Sequence, residues 1–129
     1  MEETSPLFQK FLRTYKKNEV VFEQGAEGKE MFIVHQGEVR ILHKTKETGE
    51  STLTVLRPGE FFGEMALIDN SPRSASAIAN EDDTELIVLD KPKFTYMVQQ
   101  LPDFSIAIMQ KLCQTLRETN IQRARHKRD

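Results

Sequence analysis

One stretch of the sequence combines residue types that suit the binding of a phosphorylated sugar. It runs from Glu60 to Ala77 and reads EFFGEMALIDNSPRSASA. Gly63 can adopt a backbone conformation that a Cβ would obstruct, and the residues after it have the pattern of a single helical turn. The run Asp69–Pro72 then breaks that turn. The free N–H groups at the start of such a helix favour an anion.

Two charged residues in this stretch have opposite binding properties. Arg73 carries a guanidinium whose paired N–H donors match two oxygens of a phosphate. Glu64, nine residues earlier, carries a carboxylate that only accepts hydrogen bonds when it is ionised. A partner that suits both residues has an anionic group and a nearby hydroxyl, as a sugar phosphate has. The structural alternative is a surface ion pair between the two residues.

This stretch resembles the phosphate-binding cassette of cyclic nucleotide-binding domains. Phe62–Leu67 matches the glycine, acid and helix of that motif, and Pro72–Ala77 matches its arginine and the small residues that follow. The likeness extends from about Phe11 to Ile121. The family includes regulatory subunits of cAMP-dependent protein kinase and the bacterial catabolite activator. The resemblance implies a regulatory domain with cAMP or cGMP as its ligand, and neither a metal nor a further cofactor.

The resemblance also implies roles for individual residues. Arg73 would hold the cyclic phosphate, and Glu64 would accept the ribose 2′-hydroxyl. The residues expected around phosphate and ribose are Phe62, Gly63, Glu64, Met65, Ala66, Arg73, Ser74 and Ala75. Those expected around the base are Ile41, Leu53, Leu116, Thr119 and Asn120. In this family a threonine after the arginine often accompanies guanine recognition. This chain has Ser74, whose hydroxyl could serve either the phosphate or a guanine, and we expect cAMP rather than cGMP.

Short apolar segments separated by turns predict a mainly β fold. The predicted strands occupy residues 19–23, 31–35, 38–43, 51–56, 74–79 and 85–90. Alternation within two of them places Val39 and Ile41 on one face of their strand, and Leu53 and Val55 on the inward side of theirs. The pattern alone leaves a jelly roll and another β-sandwich open. The resemblance implies an antiparallel β jelly roll with flanking N-terminal and C-terminal α-helices.

Helices are predicted at both ends of the β-region, within one domain over residues 1–129. Apolar spacing predicts a helix over Pro6–Tyr15. Near the C-terminus, Leu101-Pro102 interrupts the helical pattern, and Asp103 is the predicted N-cap of a longer helix that runs to Ile121. The predicted parts are an N-terminal helical segment (1–15), a β-roll (19–90) with the cassette (61–77), and C-terminal helices (91–129).

Composition and charge describe an ordinary domain rather than a nucleic-acid-binding one. The chain has 129 residues, a charged fraction of 29% and a net charge of −2. The single cysteine, Cys113, excludes an internal disulfide and indicates a reducing compartment. The N-terminal MEETSP lacks the apolar run of a secretory signal. No continuous apolar segment has the length needed to cross a membrane. We expect a cytoplasmic location, and the starting Met and acidic leader favour a complete small protein.

The chain offers no constellation that is typical of catalysis, so we do not expect an enzyme. His35, His43 and His126 lie on separate segments without a His-x-His pair that could hold a metal. The resemblance instead implies that the C-terminal helix covers the base and relays ligand occupancy to a protein partner. No helix-turn-helix follows that helix, so direct DNA binding is not expected.

Two further hypotheses concern protein partners. The long C-terminal helix carries an apolar stripe that could pair with a copy of itself to form a homodimer. The alternative function, of a different class, is an interaction scaffold that keeps the fold and has lost the ligand. Intact Gly63, Glu64 and Arg73 argue against the scaffold.

Overall fold

The computed structural model describes the backbone of residues 11–47 and 49–128, and side chains up to residue 118. The strands within these ranges are β1 (Leu12–Tyr15), β2 (Val20–Phe22), β3 (Met31–Gln36), β4 (Val39–Thr45), β5 (Gly49–Leu56), β6 (Phe61–Phe62), β7 (Ser76–Ala79) and β8 (Thr84–Leu89). The helices are α1 (Glu64–Asp69), α2 (Lys91–Gln100) and α3 (Pro102–Arg128).

The strands form two antiparallel sheets of four strands each. One sheet has the order β1-β8-β3-β6, and the other has the order β2-β7-β4-β5. Consecutive strands such as β3 and β4, or β7 and β8, belong to different sheets, so the chain passes repeatedly from one sheet to the other. The mainly β fold with C-terminal helices is therefore confirmed.

The hydrophobic core draws side chains from both sheets. Phe32 and Leu86, on neighbouring strands of the first sheet, are 2% and 0% exposed. Val39 and Ala77, on neighbouring strands of the second, are both fully buried and belong to the same cluster. Ile41 packs against this cluster, as its alternation with Val39 predicts.

The N-terminal helix predicted over Pro6–Tyr15 is wrong for its last four residues. Leu12–Tyr15 forms β1 and pairs with β8 from Leu12 opposite Ile87 to Tyr15 opposite Thr84. The pairing supplies backbone hydrogen bonds to a distant segment, and local apolar spacing carries no information about such bonds. Residues 6–10 of the predicted helix lie outside the described residues.

Strand β5 departs from the predicted alternation. Leu53 was predicted to face the core, but its side chain is 60% exposed. The pairing of β4 with β5 shifts register between Ile41 and Leu42, opposite Leu53. Such a bulge breaks the two-residue period of a strand, and β5 lies at the edge of its sheet. The prediction of an inward-facing Leu53 is therefore wrong.

The C-terminal segment forms two helices with a break at Leu101, as predicted. α2 ends at Gln100 and α3 begins at Pro102, a residue type that the first turn of a helix accepts. Asp103 lies in the first turn of α3 rather than at the N-cap, and the helix continues past Ile121 to Arg128. No helix in the described part of the chain is both long enough and apolar enough to span a membrane.

A matched pair of leucines tests the position of the core. Leu86→Ala should lower the free energy of unfolding by about 2–5 kcal/mol, because it leaves a cavity in the core. Leu53→Ala should change it by no more than about 0.5 kcal/mol, because its side chain already contacts solvent. Urea unfolding of both variants measures the difference, and equal losses would contradict the exposed position of Leu53.

Candidate ligand-binding site

Helix α1 begins directly after Gly63, which has φ 80°. This left-handed conformation strains most residues that carry a Cβ, asparagine and aspartate less than others, which explains the glycine. Asn70, with φ 60°, ends the helix, and its N–H donates to the carbonyl of Ala66 over 3.1 Å. The predicted single helical turn is confirmed and is one residue longer than expected.

A hydrogen-bonded turn leads from α1 towards Arg73. The N–H of Ser71 donates to a carboxylate oxygen of Asp69 over 2.9 Å. Hydrogen bonding from the Ser71 side chain, and from its N–H, lowers the pKa of the exposed Asp69 carboxyl. The carboxylate thereby stabilises the bend that turns the chain out of α1.

The guanidinium of Arg73 is the most unusual group in this region, because its charge is buried. Only 6% of Arg73 is exposed. Its Nη1 donates to the carbonyl of Gly63 over 3.1 Å, and its Nη2 donates to the carbonyl of Glu30 over 2.9 Å. Its Nε is buried and has no hydrogen-bond partner among the residues that the structure describes. One donor of a charged group is thus left for a further acceptor.

The electrostatic surroundings of Arg73 set the effect of burial against the charge of a nearby acid. Burial lowers the pKa of the guanidinium, and the negative charge of Glu30 acts in the opposite direction. Within the described ranges, no carboxylate forms an ion pair with Arg73. An arginine remains protonated under these conditions, so the site holds a positive charge whose hydrogen-bond acceptors, in the described part of the chain, are backbone carbonyls.

The connection between β2 and β3 (residues 23–30) holds the backbone of Arg73. The N–H of Gly25 donates to the carbonyl of Arg73 over 2.7 Å, and the N–H of Arg73 donates to the carbonyl of Ala26 over 2.9 Å. The neighbouring N–H of Gln24 donates to the buried hydroxyl of Ser76 over 2.9 Å. These bonds fix the point from which the Arg73 side chain projects.

Gly28 leaves the space that the guanidinium occupies. A Cβ at Gly28 would lie 2.5 Å from Nε and 2.6 Å from Cζ of Arg73, closer than side chains approach. A Cβ at Gly63 would likewise lie 2.8 Å from Nη1. Two glycines that are 35 positions apart in the sequence therefore border one side chain.

The other residues predicted for phosphate and ribose differ in exposure. Glu64 is 7% exposed and lies in the first turn of α1, where a negative charge interacts favourably with the helix dipole. Ala66 and Ala75 are buried, whereas Met65 and Ser74 are exposed. Phe62, which is buried, forms part of β6. β7 begins at Ser76 rather than at Ser74, so the predicted strand 74–79 is two residues too long.

The residues predicted to contact a base remain predictions. Ile41 is half-buried on β4, and Leu53 is exposed on β5. Leu116 is 64% exposed on α3. The side chains of Thr119 and Asn120 lie outside those that the structure describes.

Sequence reasoning missed the residues that surround Arg73 from the first half of the chain. Phe22 was predicted only as part of the strand 19–23, and no role at the site was predicted for Gly28. In the structure the Cζ of Arg73 lies 4.1 Å from the centroid of the Phe22 ring. The spacing of Gly25 and Gly28 was the only local signal, and it does not identify the side chain that fills the space.

Comparison with known proteins agrees with this geometry. The family model described as "Cyclic nucleotide-binding domain" matches residues 12–101. The "Cyclic AMP receptor protein" of Thermus thermophilus is 37% identical over 110 residues, which cover 85% of this chain and 50% of that protein. Human "cGMP-dependent protein kinase 2" is 36% identical over 85 residues, which cover 65% of this chain and 11% of the kinase.

A solved structure extends the comparison to three dimensions. The crystal structure of the Thermus thermophilus Catabolite Activator Protein has a TM-score of 0.78 and 34% identity, and the match covers 92% of this chain and 58% of that one. The predicted jelly-roll fold is therefore confirmed. The chain spans about half the length of the Thermus relative and a smaller part of the kinase.

The packing of Arg73 against Gly28 can be tested without a ligand. Gly28→Ala should lower the free energy of unfolding by about 1–3 kcal/mol, because the new methyl group displaces the guanidinium. In the Arg73→Ala background the same change should be neutral or stabilising by up to about 1 kcal/mol, because the clash is gone and alanine restricts the unfolded chain. Urea unfolding of both single variants and the double variant forms the cycle. Additive effects would contradict the contact.

Proposed function

Because the chain belongs to the cyclic nucleotide-binding domain family, we propose that it binds a cyclic nucleotide, with cAMP preferred over cGMP. Arg73 binds the cyclic phosphate in this proposal. The observation that carries it is the buried guanidinium of Arg73, whose Nε has no acceptor within the described part of the chain. A cyclic phosphate supplies an acceptor for Nε and a negative charge that can bond directly to the guanidinium.

The residues around Arg73 support the same assignment. Gly63 adjoins the guanidinium and starts α1, so the ligand's phosphate would meet a guanidinium and main-chain N–H groups close together. The N–H groups of Ala66 and Ala75, with the hydroxyl of Ser74, complete the phosphate site in the proposal. Phe62 and Met65 contribute to its walls.

Glu64 is assigned to the ribose. Its carboxylate is buried in the turn that follows Gly63, where it can accept a hydrogen bond from a hydroxyl. A cyclic nucleotide has a free 2′-hydroxyl next to its phosphate ring. The acceptor of that hydroxyl should therefore lie close to the phosphate site, and Glu64 directly follows Gly63 in the sequence. The proposal therefore requires a ribonucleotide.

The preference for cAMP rests on Ser74 and on the relatives together. Ser74 stands where relatives that recognise guanine often carry threonine, which favours adenine. The most extensive match to a curated protein named above is to a cyclic AMP receptor protein, whereas the kinase named above is cGMP-dependent. Ile41 and Leu53 are the proposed base contacts from the sheet.

The proposal extends to regulation through α3. Leu116, Thr119 and Asn120 are assigned to the base, so that ligand binding changes the preferred position of the helix. A ligand shifts such an equilibrium only by its difference in affinity for the two positions. A protein partner in the cytoplasm would respond to the shift, and the chain itself would act as a regulator rather than as an enzyme.

Arg73→Ala should weaken cAMP binding strongly, because it removes the partner of a buried phosphate charge. Loss of one partner of such a pair costs about 2–5 kcal/mol, which corresponds to a loss of affinity of about thirty-fold to several thousand-fold. Isothermal titration calorimetry of wild type and variant with cAMP and cGMP measures both the affinity and the preference.

Arg57→Ala is the matched control for this experiment. Arg57 has an exposed side chain and pairs with Glu38 over 3.4 Å, so its loss should leave cAMP affinity unchanged. A wild-type protein whose melting temperature rises with neither cAMP nor cGMP would refute the proposal and favour the scaffold hypothesis. Equal affinity of wild type and Arg73→Ala would refute the role of Arg73.

Glu64→Gln should weaken cAMP binding less and reduce the preference for ribose. A neutral amide still offers an oxygen acceptor, but it loses the stronger hydrogen bond that a carboxylate accepts. Calorimetry with cAMP and 2′-deoxy-cAMP measures the ratio of affinities in wild type and variant. Glu81→Gln, an identical change at an exposed turn, is the control. A wild-type protein that binds both sugars equally would disprove the assignment of Glu64.

A further inference from the structure

We propose that Phe22 is a positioning residue for Arg73, and that its ring sets the plane in which the guanidinium meets an anion. The inference rests on the proposed function, because it assigns how the phosphate-binding side chain is held before the ligand arrives. Phe22 ends β2, far from the cassette in sequence, and no motif marks it.

The geometry is that of a cation above an aromatic face. The Cζ of Arg73 lies 4.1 Å from the centroid of the Phe22 ring and 5.7 Å from that of Phe32. Cations are attracted to an aromatic ring within about 6 Å of its centroid, and the attraction grows where water is excluded. Phe22 is the nearer of the two rings, and the charge above it is buried.

The ring itself is held in place by other aromatic side chains. Phe22 packs against Phe32 and Phe62, with centroid distances of 5.7 and 5.8 Å. Phe32 and Phe62 are stacked on each other at 5.2 Å. Because both of these partners are buried in the core, Phe22 is a fixed surface rather than a mobile side chain.

The ring supplies a constraint that the hydrogen bonds of Arg73 do not. The carbonyls of Gly63 and Glu30 accept from Nη1 and Nη2, whose N–H groups lie in the plane of the guanidinium. With these two hydrogen bonds alone, the guanidinium could still rotate about the line that joins the two carbonyl oxygens. A ring against the face removes this rotation, and the Nε–H, unpartnered among the described residues, then keeps one direction.

Conservative substitutions at Phe22 distinguish two roles of its ring, the positioning of the Arg73 guanidinium and the packing of the core. Phe22→Leu keeps an apolar side chain but removes the aromatic face, whereas Phe22→Tyr keeps the face. Val21→Ala is the control, because Val21 also packs against the core from β2 but has no aromatic ring to place over a cation. All variants are compared by calorimetry with cAMP, by urea unfolding, and by the NMR resonance of the Arg73 Nε–H in the ligand-free protein, assigned through Arg73→Lys.

We expect Phe22→Leu to weaken cAMP binding by about five- to thirty-fold, which is the range for a partly desolvated cation–π contact. The Arg73 Nε–H resonance should move downfield in the same variant, because the ring current of Phe22 is lost. Phe22→Tyr, which keeps the aromatic face, should retain the wild-type cAMP affinity and the wild-type position of the Arg73 Nε–H resonance. Val21→Ala should lower stability and leave affinity and resonance as in wild type.

The outcomes that would overturn the inference are distinct from those that would refute the proposed function. Unchanged affinity and an unchanged Arg73 resonance in Phe22→Leu would show that the ring does not position the guanidinium. If Phe22→Tyr lost affinity or shifted the resonance as Phe22→Leu does, the changes would come from packing, and the inference would be overturned. A wild-type protein that binds neither nucleotide would refute the function, and the resonance in the ligand-free protein would still decide the role of Phe22.

Discussion

The structure depends on the burial of the positive charge of Arg73, to which no carboxylate in the described part of the chain is bonded. Removing an ionised group from water is costly unless dipoles or charges replace its hydration. At Arg73 the replacement consists of two backbone carbonyls and the face of an aromatic ring. This solvation is incomplete, because Nε keeps an unused donor among the described residues. A site solvated in this way is stabilised by an anion, which links the fold directly to its proposed ligand.

The rest of the β-roll can be understood as the support for this arrangement. β2 and β7 are neighbours in one sheet, while β3 and β6 are neighbours in the other, and the residues that surround Arg73 lie at or near the ends of these four strands. The short helix α1 follows β6 through the left-handed Gly63, so the same glycine starts the helix and accepts a bond from the guanidinium. Packing between two sheets therefore sets distances around a single side chain.

The sequence allowed the short helix α1 and its starting glycine to be predicted, because glycine, helical turn and helix breaker are close together and each has a local reason. It also allowed the β-fold to be predicted from alternation. It failed where distant parts of the chain decide the outcome. Leu12–Tyr15 has apolar residues at a spacing that suits a helix, yet pairing with β8 makes it a strand. Leu53 alternates like a core residue, yet a bulge at an edge strand exposes it. Phe22 and Gly28 carry no local sign of their contact with Arg73.

The hydrogen bond from Arg73 to Glu30 joins residues that are 43 positions apart. Contacts of this separation form only when a long loop closes, so the environment of the arginine arises with the tertiary fold rather than within the motif. A peptide cut from residues 60–77 would retain every residue of the cassette and lose the surroundings that give Arg73 its chemistry. Transfer of the motif into another protein would consequently have to include the β2–β3 connection.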